Sequence, residues 1–327
     1  MHPNSPPSPP PLAEGIGHAK LILLGEHAVV YGYAALAGAL PCGVTCRVYP
    51  GRGRTRIAAW QVEVNYHDAH PVAAARRAIA TALSCDDQQL DCELQATIPA
   101  GAGVGSSAAF AVALARALAT ALPSAAATAT AATATTGVPQ ALVPTAPLAR
   151  IVAAANAAES VFHAQPSGID VALAYHGGLA TFTRRDGYVA CTAPPLAVVV
   201  GFSGEARRTK DMVMRVAQVT AGNADDARLR TLGALALAGT EALRLGDHAL
   251  LGQHFNHAHA VLAQLTVSTP RLDAMCTAAR QAGAWGAKLT GAGGGGAMVA
   301  IGPDPAALAD ALGALDAGVV TATLGQP

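Results

Sequence analysis

The sequence predicts an α+β fold in two domains, and three observations carry that prediction. Strand-like and helix-like segments alternate without the even spacing of repeated βαβ units, which favours α+β layers over a doubly wound parallel sheet. The 327 residues suffice for one large domain or two ordinary ones. A composition shift at "DGYVACTAPP" (186–195) then places a boundary near residue 190. The expected organisation is a disordered proline-rich tail at 1–12, a domain at 13–190 with a low-complexity insertion at 121–147, and a domain at 191–327.

The elements follow in order. "MHPNSPPSPPPL" (1–12) could meet a proline-motif reader, but an untethered tail is the stronger reading. "AKLILL" (19–24) is a short strand closed by Gly25. β-Branched residues and Gly-rich turns in 44–64 suggest a hairpin. Phe110, Leu114, Leu118 and Leu122 recur every four residues and mark a helix over 106–122 with one buried stripe. Residues 117–149 carry no charge, and their Ala/Thr-rich middle reads as a surface insertion. A helix spans 148–163 and stops at Pro166, and "LAVVVGF" (196–202) is a buried strand. Helical patterns cover 226–245, 247–265 and 271–282, and "AKLTGAGGGGAMVAIG" is a glycine loop feeding a strand.

Charge balance excludes whole classes of function. Lys+Arg and Asp+Glu both number 21, so no basic surface awaits nucleic acid or anionic lipid. No apolar run reaches the roughly 18–20 residues of a membrane span, and the N-terminus lacks the pattern of a signal peptide. Six cysteines without C-x-x-C spacing read as reduced, mostly buried small apolar residues, and the expected location is cytoplasmic.

The chemistry-bearing stretches are few. In "GAGVGSS" (101–107), directly before a helix, glycines let successive amides converge, and the helix start adds partial positive charge. That arrangement suits phosphate; a tight turn with a serine N-cap is the alternative, and the stretch alone does not choose. "TGAGGGG" (290–296) can be lined by backbone alone. In "PSGID", Ser167-x-x-Asp170 looks like a capping box for the helix "DVALAYH". Glu159 and His163 share a helix face, as a surface ion pair would. Lys20 opens an otherwise buried strand and therefore needs a partner. Glu26 and His27 follow Gly25, as a polar loop would. His248, His254, His257 and His259 crowd one helix, but their faces differ and no Cys joins them, so ordinary helix histidines are preferred to a metal site.

Three stretches together resemble the GHMP kinases, and within them the mevalonate kinases. These are "AKLILLGEHAVVYGYAALAGAL" (19–40), "PAGAGVGSSAAFAVALARAL" (99–118) and "KLTGAGGGGAMVAI" (288–301), with "ESVFHAQPSGIDVA" (159–172) between the last two. "GEHAVVYG" together with "PSGID" is far more specific than any glycine loop. The resemblance covers roughly 13–303 and implies an N-terminal half like ribosomal protein S5 domain 2, a ferredoxin-like C-terminal half and an active site in the cleft between them.

It also implies ATP-dependent phosphorylation of the 5-hydroxyl of mevalonate, with Mg²⁺. Asp170 would be the catalytic base, with Lys20 beside it favouring the carboxylate and stabilising charge on the attacking oxygen. Pro99, Gly101, Ala102, Gly103, Val104, Gly105, Ser106, Ser107 and Ala108 would hold the nucleotide. Ser107 and Glu159 would hold the metal, as oxygen donors suit Mg²⁺. Glu26, His27, Arg207, Thr209 and Gly293 would face the substrate, Arg207 being suited to a carboxylate. The alternatives are another small-molecule kinase of this family, acting on homoserine or a sugar, and a non-catalytic protein of the same fold. A small-molecule substrate is the only partner the sequence requires; a homodimer stays open.

Overall fold

The computed structural model describes residues 9–122, 148–163, 168–205 and 209–325. Most of the tail and of the Ala/Thr insertion, Pro166, Ser167 and Arg207 lie outside them. The described residues pack as two compact units. One holds 9–17, 44–97, 108–122 and 148–162; the other holds 18–43, 98–107, 163, 168–205 and 209–325. Strands β1 (Ala13–Leu24) and β2 (Ala35–Pro50) give residues to each.

The first unit adds β3 (Thr55–Ile57), β4 (Val62–Val64), α1 (Pro71–Leu83) and β5 (Leu90–Ala96). It also takes most of α2 (Ser106–Ala121) and all of α3 (Leu148–Phe162). The end of β2 pairs antiparallel with β5, Val44 facing Ala96 and Pro50 facing Leu90. β5 pairs parallel with β3, and β3 forms a short hairpin with β4. The hairpin expected over 44–64 is therefore split, because β5 lies between β2 and β3.

Arg76 explains this insertion. Its guanidinium, fully buried, donates to Asp87 Oδ2 (2.6 Å), Thr55 Oγ1 (2.9 Å) and the carbonyls of Arg54, Asp87 and Leu90. One side chain thus ties the start of β3 to the entry of β5. Such a long-range bond leaves no mark in the local pattern.

Helix α2 also departs from expectation. Phe110, Leu114 and Leu118 are buried as the four-residue spacing predicts, but so is every residue from Ala108 to Ala115. Alanines between the large residues let neighbours approach from all sides, so the helix is enclosed and not merely striped.

In the second unit, Ala35–Gly38 of β2 pairs antiparallel with β6 (Leu179–Thr183), which pairs with β7 (Gly187–Ala190). Helix α4 (Ile169–His176) packs Ile169 and Leu173, four apart, onto Val29, Ala35, Ala37, Ala180 and Phe182. A second, antiparallel sheet runs in the order β11 (Gly318–Leu324), β8 (Leu196–Phe202), β10 (Ala297–Ile301), β9 (Gly286–Thr290).

Its helices are α5 (Thr209–Val219), α6 (Ala227–Arg244), α7 (His248–Gln264), α8 (Pro270–Gln281) and α9 (Pro305–Gly313). Asp226, Asp247, Thr269 and Asp304 cap α6 to α9 by accepting from first-turn amides. α7 and α8 pack on β9, and α9 packs on β8 and β11. Mostly antiparallel sheets with helices laid on them meet the α+β expectation.

All six cysteines are free; Cys46, Cys92 and Cys276 are buried, whereas Cys42, Cys85 and Cys191 are half-buried, fewer in the core than expected. Among the described residues no helix is long and apolar enough to cross a membrane.

Candidate functional site

The second unit brings most of the predicted residues together. Lys20 lies on β1 with 5% of its surface exposed, and its Nζ stands 3.1 Å from Asp170 Oδ1. A desolvated ammonium needs such a counter-charge. Asp170 is held there by α4: Ile169 and Leu173 enter the core, which leaves the carboxylate on the flank, 30% exposed. The expected capping box rests on Ser167, which lies outside the described residues. The N-cap is Gly168, with φ of 84° and no side-chain cap bond, so Asp170 sits in the first turn and its carboxylate goes to Lys20. A first-turn carboxylate also gains from the helix dipole.

The loop before α2 reaches the same lysine. The Lys20 amide donates to the Val104 carbonyl at 2.8 Å. Gly101, Gly103 and Gly105 have φ of 69°, 86° and 74°, so the backbone is left-handed at alternate residues. At Gly105 a Cβ would lie 2.8 Å from Lys20 Cγ. The Gly101 amide donates to Ser106 Oγ at 3.1 Å, and Ser107 Oγ lies 3.4 Å from His163 Nε2. Val104 and Ala108 are fully buried, backbone included, whereas Pro99 and Gly101 are exposed.

The turn after β1 forms a second cluster with the last glycine loop. Glu26, 1% exposed, accepts a hydrogen bond from Lys288 Nζ of β9. The Lys288 ammonium also donates to the Leu289 carbonyl at 2.7 Å. Burial pushes the Glu26 carboxyl up from its usual range against the pull of Lys288, and burial lowers the Lys288 ammonium against the pull of Glu26.

His27 Nε2 lies 2.9 Å from the Ala292 carbonyl; since a carbonyl only accepts, the ring carries its proton on Nε2. Thr290 Oγ1 donates to the Ile22 carbonyl at 2.9 Å. Gly293, φ 75°, presses against Val267, whose carbonyl a Cβ would meet at 2.1 Å. Its neighbour's amide, that of Gly294, donates to that same carbonyl at 2.7 Å.

Other predicted residues lie elsewhere. Thr209 is exposed as the first residue of α5. Glu159 belongs to the first unit, on α3, and is 2% exposed, not the surface side chain that its spacing to His163 suggested. Arg207 lies outside the described residues. Among those residues no three His, Cys, Asp or Glu side chains gather as a metal site. His259 of the histidine-rich helix is buried instead: Nδ1 accepts from the Leu289 amide (3.3 Å) and Nε2 faces Asp273 Oδ1 (3.2 Å). Sequence reasoning missed Lys288 and the approach of His163 to Ser107. The rule that a buried lysine needs a partner, applied to Lys20, would have found Lys288 in its apolar strand as well.

The Ser107 hydroxyl, the glycine-turned loop before α2 and the Lys20–Asp170 pair give the second unit oxygen donors and fixed positive charge. That set fits a phosphorylated ligand with Mg²⁺.

Comparison with known proteins gives the family. Residues 70–178 match the model of the GHMP kinases N terminal domain, and residues 240–320 match that of the GHMP kinases C terminal region. The chain is similar to the mevalonate kinase of Pyrococcus horikoshii, at 32% identity over 87% of each chain. It is similar to that of Thermococcus sibiricus at 31% over 88% of each. Among solved structures it resembles L. major mevalonate kinase in complex with R-mevalonate, with a TM-score of 0.78, 25% identity and 96% of each chain covered. Methanococcus jannaschii mevalonate kinase shares the fold, with a TM-score of 0.74 at 18% identity over 98% of this chain and 100% of that one. With both family models matched in order and the relatives alike over most of their length, this chain belongs to the GHMP kinase family.

Proposed function

We propose that the protein transfers the γ-phosphoryl group of ATP to the 5-hydroxyl of mevalonate. The observation that carries this reading is the 3.1 Å pair of Lys20 and Asp170 beside the Gly101–Ser107 loop. A phosphoryl acceptor needs a carboxylate to take the hydroxyl proton and a cation to steady the oxygen left behind. Asp170 supplies the first, exposed enough to meet a substrate, and Lys20 the second, held by burial and by the hydrogen bond its backbone amide donates to the Val104 carbonyl.

Pro99 to Ala108 hold the nucleotide, with the 101–107 amides and the start of α2 taking the phosphates. Ser107 and Glu159 are assigned to Mg²⁺ on donor chemistry, and the ion, when bound, neutralises phosphate charge. On the acceptor side we place Glu26, His27, Arg207, Thr209 and the Gly293 loop. Catalysis on this reading is positioning and charge neutralisation, with no covalent intermediate on the protein. We place the protein in the cytoplasm, in keeping with its six free cysteines.

A screen of alcohols with ADP detection tests the reading. Mevalonate should release ADP in a Mg²⁺-dependent way. Turnover of homoserine or a sugar but not mevalonate would reject the acceptor and keep the kinase. Nucleotide binding without any turnover would make this a binding protein.

A further inference from the structure

We propose that Lys288 is a positioning residue of the phosphotransfer site, which through Glu26 fixes the pose of the Gly25–His27 turn and so sets affinity for the acceptor alcohol. This rests on the placement of Glu26 and His27 on the acceptor side.

Three side-chain bonds fasten the end of β1 and its turn to β9 and the loop after it. Thr290 donates to the Ile22 carbonyl, Lys288 to Glu26, and His27 to the Ala292 carbonyl. Residues 288 and 290 are two apart on β9, so both side chains leave the same face of the strand. What they hold is strained. His27 has φ of 61°, a left-handed conformation that a residue with a side chain keeps only where its surroundings enforce it.

Of the three bonds, the lysine's is the one with a charge at each end, and it is sealed from water. Lys288 is fully buried, its Nζ 5.7 Å from the centre of the Phe255 ring. Glu26 Oε2 has no hydrogen-bond partner among the described residues, so the carboxylate is held through Oε1 and by charge. Glu26 also feels the Lys20 ammonium, which links the clamp to the reacting pair. A buried lysine–glutamate pair is a poor way to gain stability compared with apolar residues, but it fixes geometry.

Without Lys288, burial drives Glu26 to its neutral form and the turn loses its anchor. The resulting error falls on His27, whose imidazole leaves Ala292. The nucleotide loop is joined to β1 further back, at Lys20 and Val104, and is spared.

The test compares Lys288→Met, Glu26→Gln and the double variant E26Q/K288M, which removes both charges together and folds even where the unpaired glutamate does not. The expected result is a rise of about tenfold or more in the acceptor KM, with the ATP KM changed by less than about threefold. The double variant should be no worse than K288M, because the two residues act as one unit.

A second readout needs no turnover. In the wild type the His27 Nε2 proton should give a slowly exchanging imidazole signal in a nuclear magnetic resonance spectrum, and that signal should be lost in the double variant. Unchanged acceptor KM in folded variants, additive effects, or an unmoved His27 signal would each overturn the proposal. Failure of wild-type protein to use mevalonate would instead reject the acceptor assignment. The KM comparison would then be made on whichever alcohol it does use, and the His27 signal would decide the clamp alone.

Discussion

Gly105→Ala separates what the nucleotide loop does for stability from what it does for Lys20. Gly105 has φ of 74°, and left-handed backbone costs an alanine about 1–2 kcal/mol. The new Cβ would also stand 2.8 Å from Lys20 Cγ and 3.3 Å from Cε. Ordinary carbon contacts lie near 3.8 Å, so the lysine stem must give by about 1 Å. It cannot swing into solvent, since Lys20 is 5% exposed. A misplacement of about 1 Å in a reacting group can cost on the order of 100-fold in rate.

Gly101→Ala is the control, because φ there is 69° but nothing lies within 4 Å of the added atom. Both variants should lose melting temperature, about 2–4 °C per kcal/mol for a domain of 150–250 residues, and G105A should lose more because its Cβ also crowds the buried Lys20 stem. Only G105A should also lose about 100-fold in kcat at saturating ATP and mevalonate. Equal loss of kcat in both, or full kcat in a folded G105A, would refute the idea that the loop sets the position of Lys20.

Further outcomes follow from other groups. Lys20→Met and Asp170→Asn should each lower kcat by at least about 100-fold, and the double variant should lose little more, as measured by a double-mutant cycle on ADP release. Arg76→Met leaves the fully buried Asp87 without its charge partner and should cost about 3–5 kcal/mol in urea unfolding followed by circular dichroism, with both KM values kept in the folded fraction. His259 is held below its ordinary value of 6.5, first by burial. Its folded value is the lower one, so its contribution is complete above about 6.5 and is lost as pH falls below that. Melting temperature should therefore drop from pH 7 to pH 5 less steeply in His259→Gln than in wild type.

Much of the site was legible in the residues, for a physical reason. Lys20 stands in an apolar strand, and a lysine there needs a carboxylate; the carboxylate is Asp170. The alternate glycines of 101–105 adopt the left-handed backbone that glycine permits. What was not legible depends on partners distant in sequence. Arg76 draws β5 between β2 and β3, so the expected hairpin over 44–64 has no signature against it in the local pattern. Ser167, on which the expected capping box rests, lies outside the described residues, and Gly168 stands at the N-cap of α4. Lys288 followed the same rule as Lys20 but sat unread inside a glycine-loop motif.

The most direct test of the account is product analysis by mass spectrometry of parallel reactions containing ATP, Mg²⁺ and mevalonate, with wild-type protein and with Asp170→Asn. The account predicts 5-phosphomevalonate and ADP in equal amounts from the wild type and neither from the variant, which should still bind nucleotide. Phosphorylated mevalonate from Asp170→Asn at the wild-type rate, or none from the folded wild type, would contradict it.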